Sequence, residues 1–206
     1  MTLIYLIRHG TNDWVGKRLP GWTPGLHLNE AGRAQAGRLA ELLSEVPIHA
    51  IYASPLERTM ETAAPLAAAR HLTIHRRPDL RDVYPGLWQG QLLSSLRKRK
   101  QWPLIAAAPS LASFPEGESF AQAQIRVVGA LERIRAEHNR PQASVAVFSH
   151  ADIILLAIAH YVGLPLDLYR RLTVEPASIS LLHVQDRSAR LLRLNDTRAS
   201  RTQTPE

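Results

Sequence analysis

The sequence predicts an α/β fold, a three-layer sandwich with a mainly parallel central sheet, helices on both faces and a lid-like excursion at 77–118. Three observations predict it. Short, β-prone apolar runs alternate with longer segments of helical period along most of the chain. Two of the runs end abruptly in a histidine followed by a glycine or alanine, and ligands of open α/β sheets bind outside the carboxyl ends of strands. The rhythm breaks once, where Pro78, Pro85, Pro103, Pro109 and Pro115 gather with Gly86 and Gly90.

Taken in order, Leu3-Ile4-Tyr5-Leu6-Ile7 reads as a buried strand over 3–8 that stops at Arg8-His9-Gly10. A helix follows over 30–45, with Asn29 as N-cap and Ala31, Ala34, Arg38/Leu39 and Leu42 on one face. The strand at 50–53 leads into Ser54-Pro55-Leu56-Glu57. Serine as N-cap, proline at the first helical position and glutamate at the third form a capping box. That box starts a helix at Pro55 and turns Leu56, Met60, Ala63 and Ala67 inward. A strand at 72–75 precedes the excursion. Beyond it, Phe120, Ala123, Val127, Leu131 and Ile134 stripe a helix over 119–138. The strand at 144–149 ends at His150, and the next helix runs from Ala151 to the stop signal Gly163-Leu164-Pro165. Strands at 178–184 and, at the edge, 191–194 complete one domain over 1–194, ahead of a polar tail at 195–206.

Composition narrows the functional classes. With 206 residues, 45% hydrophobic and 21% charged, the chain has the makeup of a soluble globular domain. No apolar stretch reaches the length of a transmembrane helix, and no charged region precedes the first apolar run as in a signal peptide. The absence of cysteine excludes disulfides, thiolate metal sites and cysteine nucleophiles, and together these features predict a cytoplasmic protein without membrane partners. The net charge of +7 suits an anionic partner. Basic residues are scattered except for Arg97-Lys98-Arg99-Lys100, which reads as a solvated face or as a basic rim that draws in substrate. No nucleic-acid signature accompanies them, so no nucleic acid is expected. The nine histidines lack metal-ligand spacing, so neither metal nor cofactor is expected. The oligomeric state stays open, a homodimer included.

Chemistry gathers at the predicted strand ends. Arg8 offers a fork that fits phosphate oxygens, and His9 a nucleophile or acid/base. Arg58 falls in the first turn of the helix after the second strand and can reach the same sheet edge. His150 ends another strand, and Ala151 opens a helix whose N-terminus is an anion seat.

At these residues the chain resembles the histidine phosphatase superfamily, which includes the cofactor-dependent phosphoglycerate mutases. The resembling blocks are Leu6-Ile7-Arg8-His9-Gly10, the run from Ser54 to Ala63, Leu80-Arg81-Asp82 with Gly86-Leu87-Trp88-Gln89-Gly90, Gly117-Glu118-Ser119-Phe120, and Val147-Phe148-Ser149-His150-Ala151. They occur in the family's order. The resemblance implies that His9 attacks phosphorus and becomes phosphohistidine, while Arg8, Arg58 and His150 grip the phosphoryl oxygens. It implies an acid at Asp82, where the family usually has glutamate, with Glu118 as the second candidate. Aspartate is shorter and more acidic, so it needs desolvation or nearby negative charge to hold a proton at neutral pH. Asn12 and Val15 stand where the family has a hydroxyl residue and an asparagine near the phosphate, and of the two only Asn12 can donate. Gly10, Asn12, Gly21 and Ala151 complete the expected phosphate contacts.

The family's mutases are longer, so the expected reaction is hydrolysis of a small anionic phosphomonoester. The alternatives are mutase-type phosphoryl transfer and a phosphate-binding module without catalysis. Trp88, Trp102, Phe114 and the 97–100 run are candidates for the leaving-group pocket, with core packing as the aromatics' other role.

Overall fold

The computed structural model describes residues 1–138, 140, 142–186 and 188–199. Six strands form one sheet: β1 (Thr2–Arg8), β2 (Ala50–Ala53), β3 (Ile74–Arg76), β4 (Ala143–Ser149), β5 (Ile179–Val184) and β6 (Ala189–Asp196). Their order is β3-β2-β4-β1-β5-β6. The pairs β3/β2, β2/β4 and β4/β1 are parallel, whereas β1/β5 and β5/β6 are antiparallel. The sheet is thus mixed and mainly parallel, flanked by helices as expected.

Strand periodicity sorts the core into two layers. Ile4, Leu6, Tyr52, Val145 and Val147 face α5 (Phe120–Glu137) and α6 (Ala151–Val162). Ile7, Ile51, Ala53, Ala146 and Phe148 face α1 (Glu30–Leu42) and α2 (Glu57–Arg70). Every residue of β4 is buried, which is why its middle, Val145 to Phe148, is apolar without alternation. Each fully buried Ile, Leu or Phe contributes about 1.5–3 kcal/mol.

Two local expectations are corrected. In α1, Asn29 is the N-cap and accepts from the Gly32 amide, but the buried face is Gly32, Gln35, Ala36, Leu39 and Ala40, with Ala31 and Ala34 exposed. The helix is rotated because Gly32 presses on the backbone of Thr11. A Cβ at Gly32 would lie 2.0 Å from the Thr11 carbonyl oxygen. The second correction concerns Ser54, which caps no helix. α2 begins at Glu57 after Leu56, and the Glu57 carboxylate accepts instead from the Gly25 amide. A capping box does form at Ser119 and Gln122, opening α5, whose predicted stripe is buried throughout.

The 77–118 excursion contains two short helices, α3 (Leu93–Leu96) and α4 (Trp102–Ala107), with 3₁₀ turns at Pro78–Leu80, Gly86–Trp88 and Pro109–Leu111. Trp88, Leu96, Ile105 and Phe114 are buried in the α5/α6 layer and Trp102 packs against it, so these aromatics have the core role. The excursion also braces the 14–20 loop: Leu19 donates to Gln91, Gly90 to Leu19 and Leu93 to Lys17. Residues 97–100 are exposed. β6 extends through Asp196 and Ala199 is buried, so structure continues past residue 194, where the tail was expected to begin; residues 200–206 lie outside the described part.

Candidate active site

Register builds the site. Arg8 pairs with Ser149 across β1/β4, and Ala53 with Phe148 across β2/β4. The residues just beyond these strands, His9, His150 and Ser54, therefore emerge side by side. Backbone bonds hold them: the His9 amide donates to Ser149 O at 3.0 Å and the Ser54 amide to Phe148 O at 3.0 Å. The two imidazole centroids lie 5.3 Å apart.

His9 is buried, with Nδ1 2.7 Å from the carbonyl oxygen of Gly10. A carbonyl only accepts, so Nδ1 carries the proton and Nε2 keeps its lone pair. Burial first, then the charges of Arg58 and Arg8, hold the His9 pKa well below the ordinary histidine value. The imidazole is neutral at pH 7. His150 receives a hydrogen bond at Nδ1 from Arg58 Nη2 at 3.2 Å, which puts its proton on Nε2, 2.9 Å from Ser54 Oγ. Burial and the same arginines keep it neutral as well.

Arg58 is fully buried, and its Nη2 also donates to Gly21 O at 2.8 Å. Arg8 donates Nη1 to Val174 O at 2.8 Å. Four buried donor atoms have no partner: Arg8 Nε and Asn12 Nδ2, whose residues share a cavity wall with His9, and Nε and Nη1 of Arg58, whose charge acts on His9. Unmatched buried donors cost about 1–3 kcal/mol each, so this arrangement fits an anion with several acceptor oxygens.

Asp82 brings a carboxyl to the same place. Oδ1 accepts from the Val83 amide at 2.9 Å, and Oδ2 lies 3.7 Å from Arg58 Nη2 and 3.9 Å from His150 Nδ1. Burial outweighs the pull of Arg58, and the negative charge of Asp152 adds to it, pushing the Asp82 pKa up to about 6. The desolvation that aspartate needs is therefore present. Glu118 is not brought in. Its carboxylate is held by Arg126 Nε and Nη2 at 2.6 and 2.8 Å and accepts from the Tyr84 amide.

Arg8, His9, Asn12, Asp82 and Ala151 line one cavity of about 140 Å³ together with Trp14, Val15, Arg18, Leu19 and Pro20, whereas Arg58 and His150 are not on its wall. Two expected phosphate contacts take other roles. The Gly10 amide donates to Thr62 Oγ1 at 2.9 Å, and a Cβ there would meet Gly32 O at 2.8 Å, so this glycine serves close packing. Gly21 supplies a carbonyl to Arg58 and is absent from the cavity wall.

Sequence reasoning missed Thr62, which accepts from Gly10 and donates to Arg58 O at 2.6 Å. Its spacing of four from Arg58 puts it on the same helix face, a signal open to inspection. Sequence reasoning also gave Ser54 to a cap rather than to His150, and overlooked Asp152. Among the described residues no group of three or more histidine, aspartate or glutamate side chains is arranged to hold a metal, and no helix is long and apolar enough to cross a membrane.

An α/β sheet with a neutral histidine at its carboxyl edge, ringed by arginines with unmatched donors, defines a class of proteins that handle anions around a histidine. The model of the histidine phosphatase superfamily (branch 1) matches residues 4–197, and the chain belongs to that family. It is 30% identical over 204 residues to phosphoserine phosphatase 1 of Hydrogenobacter thermophilus, covering 96% of this chain and 93% of that protein. It is 31% identical over 192 residues to a probable phosphoglycerate mutase, GpmB, of Proteus mirabilis, covering 90% and 86%. Among solved structures it is similar to YhfR of Bacillus stearothermophilus, with a TM-score of 0.90, 27% identity and coverage of 98% and 100%.

Proposed function

We propose that this protein is a phosphomonoesterase that hydrolyses a small phosphorylated metabolite through a phosphohistidine on His9. The observation that carries the reading is the set of four unpartnered donors around a neutral imidazole with a free Nε2. His9 Nε2 attacks phosphorus while Arg8, Arg58, Asn12 and the Ala151 amide hold the equatorial oxygens and offset their charge. Asp82 gives its proton to the leaving oxygen as the ester bond breaks, then takes one from the water that hydrolyses phosphohistidine. His150 becomes a further donor when its proton moves to Nδ1, a tautomer that has the Ser54 hydroxyl donate to Nε2 and Arg58 Nη2 turn from Nδ1 to the phosphate. Similarity to a phosphoserine phosphatase over nearly the whole chain supports hydrolysis.

The test is phosphate release from a panel of phosphomonoesters by the wild type and by His9→Ala, with rapid-quench trapping of labelled enzyme. Burst labelling and turnover are expected in the wild type alone, and turnover surviving in His9→Ala overturns the mechanism. Similarity to a probable phosphoglycerate mutase favours one second reading, transfer to another substrate oxygen. Adding 3-phosphoglycerate with its bisphosphate primer separates the two. Isomerisation faster than phosphate release makes the protein a mutase.

A further inference from the structure

Asp152 and Arg18 line the cavity beside His9 and take no part in the steps above. Asp152, in the first turn of α6, is mounted from behind. Its Oδ1 accepts from the Tyr169 hydroxyl at 3.0 Å, and Oδ2 lies 3.7 Å from Arg170 Nη2, beyond hydrogen-bond range. Arg170 is itself tied, donating Nε to the Tyr169 oxygen at 2.8 Å and Nη1 to Ile105 O at 3.2 Å. The carboxylate thus has a set position and spare acceptor capacity on the cavity wall. Such a charge opposes a bound dianionic phosphate unless a cation sits beside it. Arg170, at 3.7 Å, and Arg8 on the same cavity wall, whose guanidinium feels this charge and which the phosphate engages, offset it only in part.

Arg18 supplies the opposite sign. One Nη donates to Gly90 O at 2.8 Å and the guanidinium lies over the Trp14 ring, 5.4 Å from its centroid, so the fork is oriented while the side chain remains exposed. A cavity of about 140 Å³ suits a phosphoryl group with a short leaving group. A negative and a positive wall in so small a space match a zwitterion.

Resting on the phosphomonoesterase reading, we propose that Asp152 and Arg18 select the leaving group, and that the substrate class is an O-phosphorylated amino acid. Asp152 takes the ammonium and Arg18 takes the carboxylate. The leaving alcohol then departs as the free hydroxy amino acid, protonated by Asp82.

The test compares kcat/KM for O-phosphoserine, 3-phosphoglycerate (hydroxyl in place of ammonium), O-phosphoethanolamine (no carboxylate) and an aryl phosphate, in the wild type, Asp152→Asn and Arg18→Gln. The wild type is expected to favour O-phosphoserine over each of the two analogues by about tenfold or more, the size of a charge-assisted contact. Asp152→Asn is expected to collapse the ratio to 3-phosphoglycerate, and Arg18→Gln the ratio to O-phosphoethanolamine. Ratios within one variant cancel any general loss of folding or catalysis, which a purely structural role would produce. Should Asp152→Asn not fold, the wild-type ratios and Arg18→Gln, a change at an exposed side chain, decide the matter. Equal kcat/KM for the three alkyl esters, or ratios unmoved by both variants, overturns the proposal while leaving a phosphatase. No turnover of any ester, aryl phosphate included, overturns the phosphomonoesterase reading itself.

Discussion

Replacing Asp82 with asparagine separates catalysis from stability at one atom pair. The asparagine carbonyl can still accept from the Val83 amide, as Oδ1 does at 2.9 Å, so local geometry survives. What disappears is a buried ionisable proton. Moving a carboxyl from 3.8 to about 6 on folding corresponds to about 3 kcal/mol of penalty for ionising it in the native state. The side chain is only 16% exposed, so solvent screens little of this. The sign follows from linkage: a raised folded-state pKa favours the native state at low pH, and the benefit is lost as pH rises through about 6. At pH 8, Asp82→Asn should therefore be more stable than the wild type by about 1–3 kcal/mol, roughly 3–10 °C in Tm for a chain of this size. The gain should shrink towards zero as the pH falls through 6 to 4. Catalysis moves the other way. Loss of the general acid should slow alkyl phosphate turnover by about 10²- to 10⁴-fold, and far less with an aryl phosphate whose leaving group needs no proton. Thermal melts from pH 4 to 8 and paired alkyl and aryl kinetics provide the assay. A gain equal at pH 4 and pH 8 would refute burial as the origin of the raised pKa, and undiminished alkyl turnover would refute Asp82 as the acid.

For the wild type, kcat/KM on alkyl esters should fall about tenfold per pH unit above about 6 as Asp82 ionises, with no acid limb from His9, whose pKa lies well below the ordinary value; a profile flat from pH 6 to 8 contradicts this. Inorganic phosphate should raise Tm by satisfying the unmatched donors, about 2.7 kcal/mol at a hundredfold excess over Kd, and Arg8→Ala should abolish the shift in calorimetry. Ser54→Ala removes the partner of His150 Nε2, so kcat should fall about tenfold with Ser54→Thr restoring most of it, and a fall in stability alone would point to packing. Gly32→Ala drives a Cβ to 2.0 Å from Thr11 O and should cost about 3 kcal/mol or more in urea unfolding, since backbone meets backbone there.

Much of this was written locally. Periodicity marked all six strands, the α5 stripe and the apolar run 153–159 of α6, because burial on one or both faces imposes a repeat that can be read without a partner. The failures were local signals overruled from a distance. Ser54-Pro55-Leu56-Glu57 has the composition of a capping box, yet the serine side chain meets His150 and the glutamate meets Gly25. The face of α1 was misread by a rotation because its apolar pattern is weak and the contact of Gly32 with Thr11 settles the helix azimuth.

By itself, then, the sequence determined the strand order, the four long helices but not the short α3 and α4 of the excursion, the family pattern, and the placing of His9 and His150 at strand ends. Only the tertiary structure decided what these groups are chemically. Gly10 meets Thr62 across 52 residues, Arg58 meets His150 across 92, and Ser54 meets His150 across 96. Those contacts exist because β2, β4 and β1 lie adjacent and in one register, a consequence of how whole faces pack. The assembled site also settles that Arg58 holds His150 Nδ1, which donors lack partners, and that burial lifts the Asp82 pKa to about 6. Protonation states follow desolvation and neighbouring charge, and both are properties of the assembled site rather than of any stretch of chain.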